Sequence, residues 1–218
     1  MFFMKIINKK HLKIEFLISK SMINYEEAIN FMEQRVNYIA KGKKNEAVWF
    51  LEHPSVYTTG RSFESKTDNI DNIPIYNTGR GGKVTWHGPG QKIIYFMINI
   101  KDRKSDIRRF VHNIERYIIH CLRELDIVSY KKKGLIGIWT KDKKGNDAKI
   151  ASLGLRVSRG IIYHGLSINI DCDLSNFKKI DPCGLKNSYV TSIASIKKNI
   201  VKKQIEEILQ KNIFRIFN

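Results

Sequence analysis

The chain has 218 residues, 42% of them hydrophobic, with 39 Lys and Arg against 21 Asp and Glu and a formal charge of +18. That length supports one domain with a sizeable core, spanning 1–218, and leaves little for a second. No apolar run reaches the roughly 18 residues of a spanning helix, and Met1–Ile7 is broken by Asn8-Lys9-Lys10 too soon for a signal peptide, so a cytoplasmic protein off the membrane is expected.

The positive balance suits an acidic partner, either nucleic acid or protein. The lysines are spread from Lys5 to Lys211, however, with no zinc spacing and no RNA-binding aromatic signature beside them. Heavy use of Ile, Lys and Asn throughout accounts for the charge equally well. Three cysteines, Cys121, Cys172 and Cys183, contain no CxxC pair, which argues against a disulfide framework and against structural zinc.

Along the chain, Ser21–Ala40 reads as an amphipathic helix, with Ala28, Met32 and Val36 at helical spacing and Glu26 and Glu27 near its positive end. Ala47–Leu51 is a short apolar strand, Ser62–Pro74 a polar loop, and Ile93–Ile98 another strand. A second helix, capped by Ser105 or Asp106, carries Phe110, Ile114, Tyr117, Ile118, Cys121 and Leu125 on one stripe. Strands follow at 137–140, 149–157 and 161–170, joined by a turn over 142–147 and a hairpin at Ser158-Arg159-Gly160. The tail from Val201 is helical, with Ile205, Ile208, Leu209, Ile213 and Ile216 on one side. The sum is an α/β (α+β) fold, a mixed β-sheet with packed helices.

Two features carry chemistry. The segment "RGGKVTWHGPGQ" (80–91) puts four glycines, a proline and a histidine into twelve positions, so something approaches its backbone closely. It lacks the spacing and the Lys-Ser/Thr pair of a phosphate-binding P-loop. The other feature is the choice of thiol. Cys121 sits in an apolar stripe and reads as core, while Cys172 lies between Asp171 and Asp173, whose charges oppose a thiolate. Cys183, in the turn-like Asp181-Pro182-Cys183-Gly184 among Lys178, Lys179 and Lys186, is the better nucleophile. A thiolate needs a base or a nearby cation, and His53, His87, His164 and Lys149 all qualify. Lys149 opens the strand "KIASLGLRV", whose alternation places it with Ala151 and Leu153 on one face; a lysine facing inward is costly unless paired.

Four ordered blocks, "EHPSVYTTGR" (52–61), "RGGKVTWHGPGQ" (80–91), "KIASLGLRVSRGIIYHGLSINI" (149–170) and "DPCGLKNSYVTSI" (181–193), resemble those of the lipoyl(octanoyl) transferases. The resemblance covers residues from about 20 to about 195 and implies the biotin/lipoate protein ligase fold class. It implies transfer of an octanoyl or lipoyl group from acyl carrier protein to a lysine of lipoyl domains, in 2-oxoacid dehydrogenase E2 subunits and the glycine cleavage H protein. No cofactor or metal is implied, nor any nucleic-acid or membrane partner, and a monomer is expected. Matched residue by residue, Cys183 would carry the acyl thioester and Lys149 would lower the thiol's pKa and shuttle protons. The acyl substrate would lie against Arg80, Gly81, Gly82, Lys83, Val84, Thr85, Trp86 and His87, and against Ser152-Leu153-Gly154 and Gly165-Leu166-Ser167. Two positions depart from the family pattern: Trp86 stands where tyrosine is expected before the histidine, and Phe96 where proline is expected after Tyr95.

The chemistry is consistent with that resemblance. A nearby ammonium favours the Cys183 thiolate and can protonate a departing carrier thiol. Two-step covalent transfer implies ping-pong kinetics, with backbone N–H groups at Gly184 or in the glycine-rich loop available as oxyanion donors. The nearest alternative is an ATP-dependent lipoate–protein ligase, which needs no cysteine nucleophile. A basic nucleic-acid-binding module, from a different class, would leave Lys149, Cys183 and the glycine-rich segment without roles.

Overall fold

The computed structural model describes residues 2–9, 12–62, 65–101, 106–180 and 189–217. In chain order the elements are β1 (Phe2–Lys9), β2 (Leu12–Ser19), α1 (Tyr25–Ala40), β3 (Glu46–Leu51), β4 (Val56–Thr59), β5 (Asn69–Ile70), β6 (Ile73–Asn77), β7 (Thr85–His87) and β8 (Gln91–Asn99). They continue with α2 (Ile107–Arg123), β9 (Ser129–Lys132), β10 (Leu135–Lys141), β11 (Asp147–Ser158), β12 (Ile161–Asn169), β13 (Tyr189–Val190), α3 (Ile193–Ile196) and α4 (Lys202–Asn212). Among the described residues no helix is long and apolar enough to cross a membrane.

The larger sheet runs β1-β2-β3-β8-β12-β11-β10-β9, and β13 pairs with the start of β11. It is mixed: β2 and β3 are parallel, as are β11 and β13, and the other pairs are antiparallel. A smaller sheet, β5-β6-β4-β7, lies beside it. The expected α/β architecture is therefore the observed one.

Strand alternation sorts the core into two layers. Val48 and Phe50 of β3, with Ile94, Phe96 and Ile98 of β8, pack with Phe110, Ile114 and Ile118 of α2 and with Leu209 and Ile213 at the C-terminal end. Their neighbours Ala47, Trp49, Leu51, Ile93, Tyr95 and Met97 turn to the other face, against Ala28, Met32, Val36 and Ile39 of α1. A strand covered on both faces needs apolar residues at every position, which is why β8 reads as a continuous hydrophobic run.

The capping and turn chemistry follows the sequence. Asp106 caps α2, its Oδ1 accepting the Arg109 N–H at 2.7 Å. Arg159 and Gly160, both at positive φ, form the two-residue turn between β11 and β12, where Ser158 pairs with Ile161. Two expectations change, and one element is added. Helix α1 starts at Tyr25, four residues after Ser21; strands β5 and β6 begin inside the stretch 62–74 read as loop; and the hairpin β1–β2 extends the sheet edge. Short strands with polar, half-exposed faces such as Asn69–Ile70 give no period strong enough to read.

Candidate active site

Where β7, β8, β11 and β12 meet the glycine-rich segment lies a cavity of about 550 Å³, well within the range of about 300–1,000 Å³ typical of small-molecule sites. Of the residues expected from sequence, Arg80, Gly81, Gly82, Lys83, Thr85, His87, Lys149, Ser152, Leu153, Gly154, Gly165, Leu166 and Ser167 line it. Val84 and Trp86 are buried but are not among its lining residues. Period-two alternation along β7 sends Thr85 and His87 to the cavity and Trp86 the other way, against Tyr57, Cys172 and Phe177. Phe96 likewise packs in the α2 layer, its ring 5.5 Å from that of Phe110. Both departures from the family pattern therefore fall outside the cavity wall. Cys183 lies outside the described residues.

The glycine-rich segment rests directly on β11. Gly81 donates its N–H to the Leu155 carbonyl at 3.0 Å. A Cβ built on Gly154 would sit 3.1 Å from the Gly81 carbonyl oxygen and 3.2 Å from Arg80 Cδ, so any side chain there would push the loop back by a few tenths of an ångström. Arg80 then anchors the loop from within. Its Nε and Nη2 reach Thr58 Oγ1 at 3.1 and 2.9 Å, Nη2 also reaches the Thr58 carbonyl at 2.6 Å, and Nη1 reaches the Gly81 carbonyl at 2.9 Å. Burial pulls the guanidinium pKa below its ordinary value, while Tyr25 and Tyr95 act in the opposite direction. A guanidinium still holds its proton, and neutral oxygens satisfy this one.

Under the loop sits a cluster that the sequence marked only through its histidines. His53 contacts the Ile23 carbonyl through Nδ1 at 2.6 Å and the Tyr95 hydroxyl through Nε2 at 2.8 Å. A ring nitrogen facing a carbonyl must donate, so Nδ1 carries the proton and Nε2 accepts from Tyr95. Burial lowers the His53 pKa to about 4, that of His87 to about 3 with help from His53, Arg80 and His164, and that of His164 to about 3 with help from Arg80 and Arg156. All three are neutral imidazoles at neutral pH. The Tyr25 ring lies within 6.4 Å of His87 and 5.3 Å of His53, centre to centre, and both Tyr25 and Tyr95 line the cavity. Neither tyrosine stands out in sequence, because each also satisfies a core periodicity. Among the described residues no cluster of His, Cys, Asp and Glu is arranged to hold a metal ion.

Lys149 is buried in the cavity wall. Its position depends on a β-bulge: Ile138 pairs with Ala151 and Trp139 with Lys149, so one step on β10 answers two on β11. Ile150 and Ala151 both join the α2-side core as a result. The simple alternation that places Lys149 and Ala151 on one face is interrupted there. The Lys149 ammonium lies 5.9 Å from the centre of the Trp139 ring, and the Lys149 carbonyl accepts the Thr191 N–H at 3.0 Å.

A family profile described as the lipoyl protein ligase A/B catalytic domain matches residues 24–214. The chain belongs to that family. Its curated relatives include the octanoyltransferase of Wolbachia sp. subsp. Brugia malayi (strain TRS), 42% identical over 206 residues that make up 94% of this chain and all of the relative. The octanoyltransferase of Ehrlichia chaffeensis is also 42% identical, over 94% of this chain and 96% of its own. Among solved structures, P. falciparum LipL1 in complex with lipoate superposes with a TM-score of 0.67 at 12% identity. That match covers 94% of this chain and 62% of the other. A bi-partite lipoate protein ligase from Thermoplasma acidophilum gives 0.64 at 11% identity, covering 94% and 82%. At such identities these two structures establish the fold alone, that of the lipoate protein ligases.

Within this family member the described thiols are poor nucleophiles. Cys121 is packed in the core, and burial, reinforced by Glu124, raises its pKa to about 12. Cys172 also rises to about 12. Burial is again the largest cause, with the Asp171 and Asp173 charges secondary, so the acidic neighbours noted in sequence explain only part of its inertness.

Proposed function

We propose that this chain works as one catalytic domain that moves an octanoyl group from an acyl carrier protein to a lysine of a lipoyl domain, through a thioester on Cys183. It is the octanoyl transfer of protein lipoylation, carried out in the cytoplasm by a monomer. The observation that carries the reading is the single cavity shared by the Arg80–His87 loop, Lys149, Ser152–Gly154 and Gly165–Ser167. Apolar walls at Leu153, Leu155 and Leu166 suit an alkyl chain, and at about 0.8 kcal/mol per buried methylene that chain supplies on the order of 5 kcal/mol of binding.

In this scheme Lys149 takes the Cys183 proton, and the thiolate attacks the carrier thioester. The carrier sulfur departs and receives that proton from the Lys149 ammonium. The acceptor lysine amine then attacks the enzyme thioester and passes its proton to Lys149, forming an amide and restoring the thiolate–ammonium pair. Each step needs one proton carrier beside the sulfur, and a lysine amine, which can take up and release one proton, has the right chemistry.

Incubation with octanoyl-loaded carrier protein, without ATP, tests the scheme. Intact mass and peptide mapping should find an octanoyl adduct on Cys183 that discharges to a lipoyl-domain lysine. Transfer that requires free octanoate and ATP, without an adduct, would instead identify a ligase.

A further inference from the structure

A bare Cα lies across from Lys149. Gly137, in β10, has φ +124, and a Cβ built on it would sit 2.3 Å from Lys149 Cε and 3.1 Å from Lys149 Nζ. Real Cβ atoms do not approach carbon that closely, so the lysine stem occupies the space a side chain would fill. Two residues on, Trp139 pairs across the ladder with Lys149 and presents its ring to the same ammonium. Trp139 is itself buried, and Lys132 Nζ lies 4.9 Å from its ring centre. Directly before Gly137, Leu135 and Ile136 line the cavity that Lys149 also lines. The slot therefore has a floor at Gly137, a wall at Trp139 and an opening toward the cavity.

We propose that Gly137 is a positioning residue for acyl transfer: its missing side chain leaves the slot in which the Lys149 stem lies, and Trp139 holds the ammonium at the slot's end. The inference rests on the role given to Lys149 above. It adds a constraint from the opposite strand, so that the reach of the ammonium into the cavity is set by β10 as much as by β11. A methyl group at 137 must displace the stem, and it also meets the Ala151 carbonyl at 2.7 Å at a φ of +124, so a part of its cost falls on the sheet and not on the lysine. A displacement of about 1 Å at a reacting group costs on the order of 100-fold in rate.

The test is a double-mutant cycle read by kinetics and by lysine chemistry. Gly137→Ala should lower kcat on the order of 100-fold with little change in KM, and should cost far less in a Lys149→Ala background, where only the backbone strain at 137 and the Ala151 carbonyl contact remain. Equal losses in both backgrounds would overturn the proposal, since a general loss of fold acts whether or not the lysine is present. Amine-directed acylation, mapped to Lys149 by mass spectrometry, gives a second readout that does not depend on the proposed reaction. Its rate–pH profile should differ between the parent and Gly137→Ala, and identical profiles would overturn the slot. If Lys149→Ala retains full transfer, the dyad falls, while the acylation profile still decides where the ammonium sits. Should Gly137→Ala not fold, the parent protein suffices: a nuclear Overhauser contact between the Lys149 ε-methylene and the Gly137 α protons is expected, and its absence would overturn the proposal.

Discussion

His87 Nδ1 lies 2.6 Å from Gln91 Oε1, and this one contact fixes the state of the imidazole. Gln91 Nε2 donates to the Trp86 carbonyl at 3.4 Å and to Asn169 Oδ1 at 2.8 Å, while Asn169 Nδ2 donates to the Thr191 carbonyl at 2.9 Å. Backbone carbonyls can only accept, so both amides are oriented and Nδ1 must carry the His87 proton. Nε2 is left as an acceptor.

The chain of amides makes Gln91 testable. Gln91→Leu strips His87 Nδ1–H and Asn169 Oδ1 of their partner and should cost about 1–3 kcal/mol of stability, read by urea denaturation. Gln91→Glu keeps the shape and adds a negative charge beside the ring. It should raise the His87 pKa from about 3, visible as a titration in imidazole NMR signals that the parent does not show.

Stability should depend steeply on mildly acidic pH. His53, His87 and His164 have folded pKa values of about 4, 3 and 3, below the ordinary 6.5. Between those values the unfolded chain binds protons that the folded one refuses, so stability rises with pH there. It is complete above about pH 6.5 and falls as pH drops toward 4, each buried ring contributing on the order of 3 kcal/mol. Thermal melts from pH 8 to 4 would check this; a flat profile would contradict it.

Thiol reactivity should be selective. With Cys121 and Cys172 both raised to about 12 by burial, iodoacetamide near pH 8 should leave them unmodified while it labels Cys183. Peptide mapping decides the matter, and labelling of Cys172 at a rate matching Cys183 would count against the assignment.

Sequence and structure divide the explanation unevenly. The helices α1 and α2, the long strands and both turns flanking β11 were legible because each rests on local chemistry: a capping Asp106, a positive-φ pair at Arg159-Gly160, a periodic stripe of Phe110, Ile114 and Ile118. Most of the cavity lining was legible only as blocks of residue types. What could not be read was anything set between strands. The bulge opposite Trp139 that separates Lys149 from Ala151, and the contact of Gly81 with Gly154, depend on register, which leaves no mark in a single strand. The resemblance sets Trp86 against the acyl substrate by its position in the glycine-rich block, yet three residues of β7 suffice to turn it away.

Arg80 should not tolerate lysine. An ammonium cannot reproduce the fork that holds both Thr58 oxygens and the Gly81 carbonyl at once. Arg80→Lys should lower the melting temperature by several degrees, as expected from a loss of about 1–3 kcal/mol, and raise KM for the acyl donor by roughly tenfold. Calorimetry and steady-state kinetics check the two effects separately.

The pairing of β13 with β11 bears on how firmly Lys149 is held. Tyr189 and Val190 run parallel to Ala148 and Lys149, and Thr191 donates to the Lys149 carbonyl. At Lys149 the strand β11 thus has a neighbour on both edges, Trp139 of β10 and Val190 of β13. The lysine's main chain is clamped from two sides, so a substitution in β13 can reach the proposed proton carrier through the backbone as well as through the cavity wall.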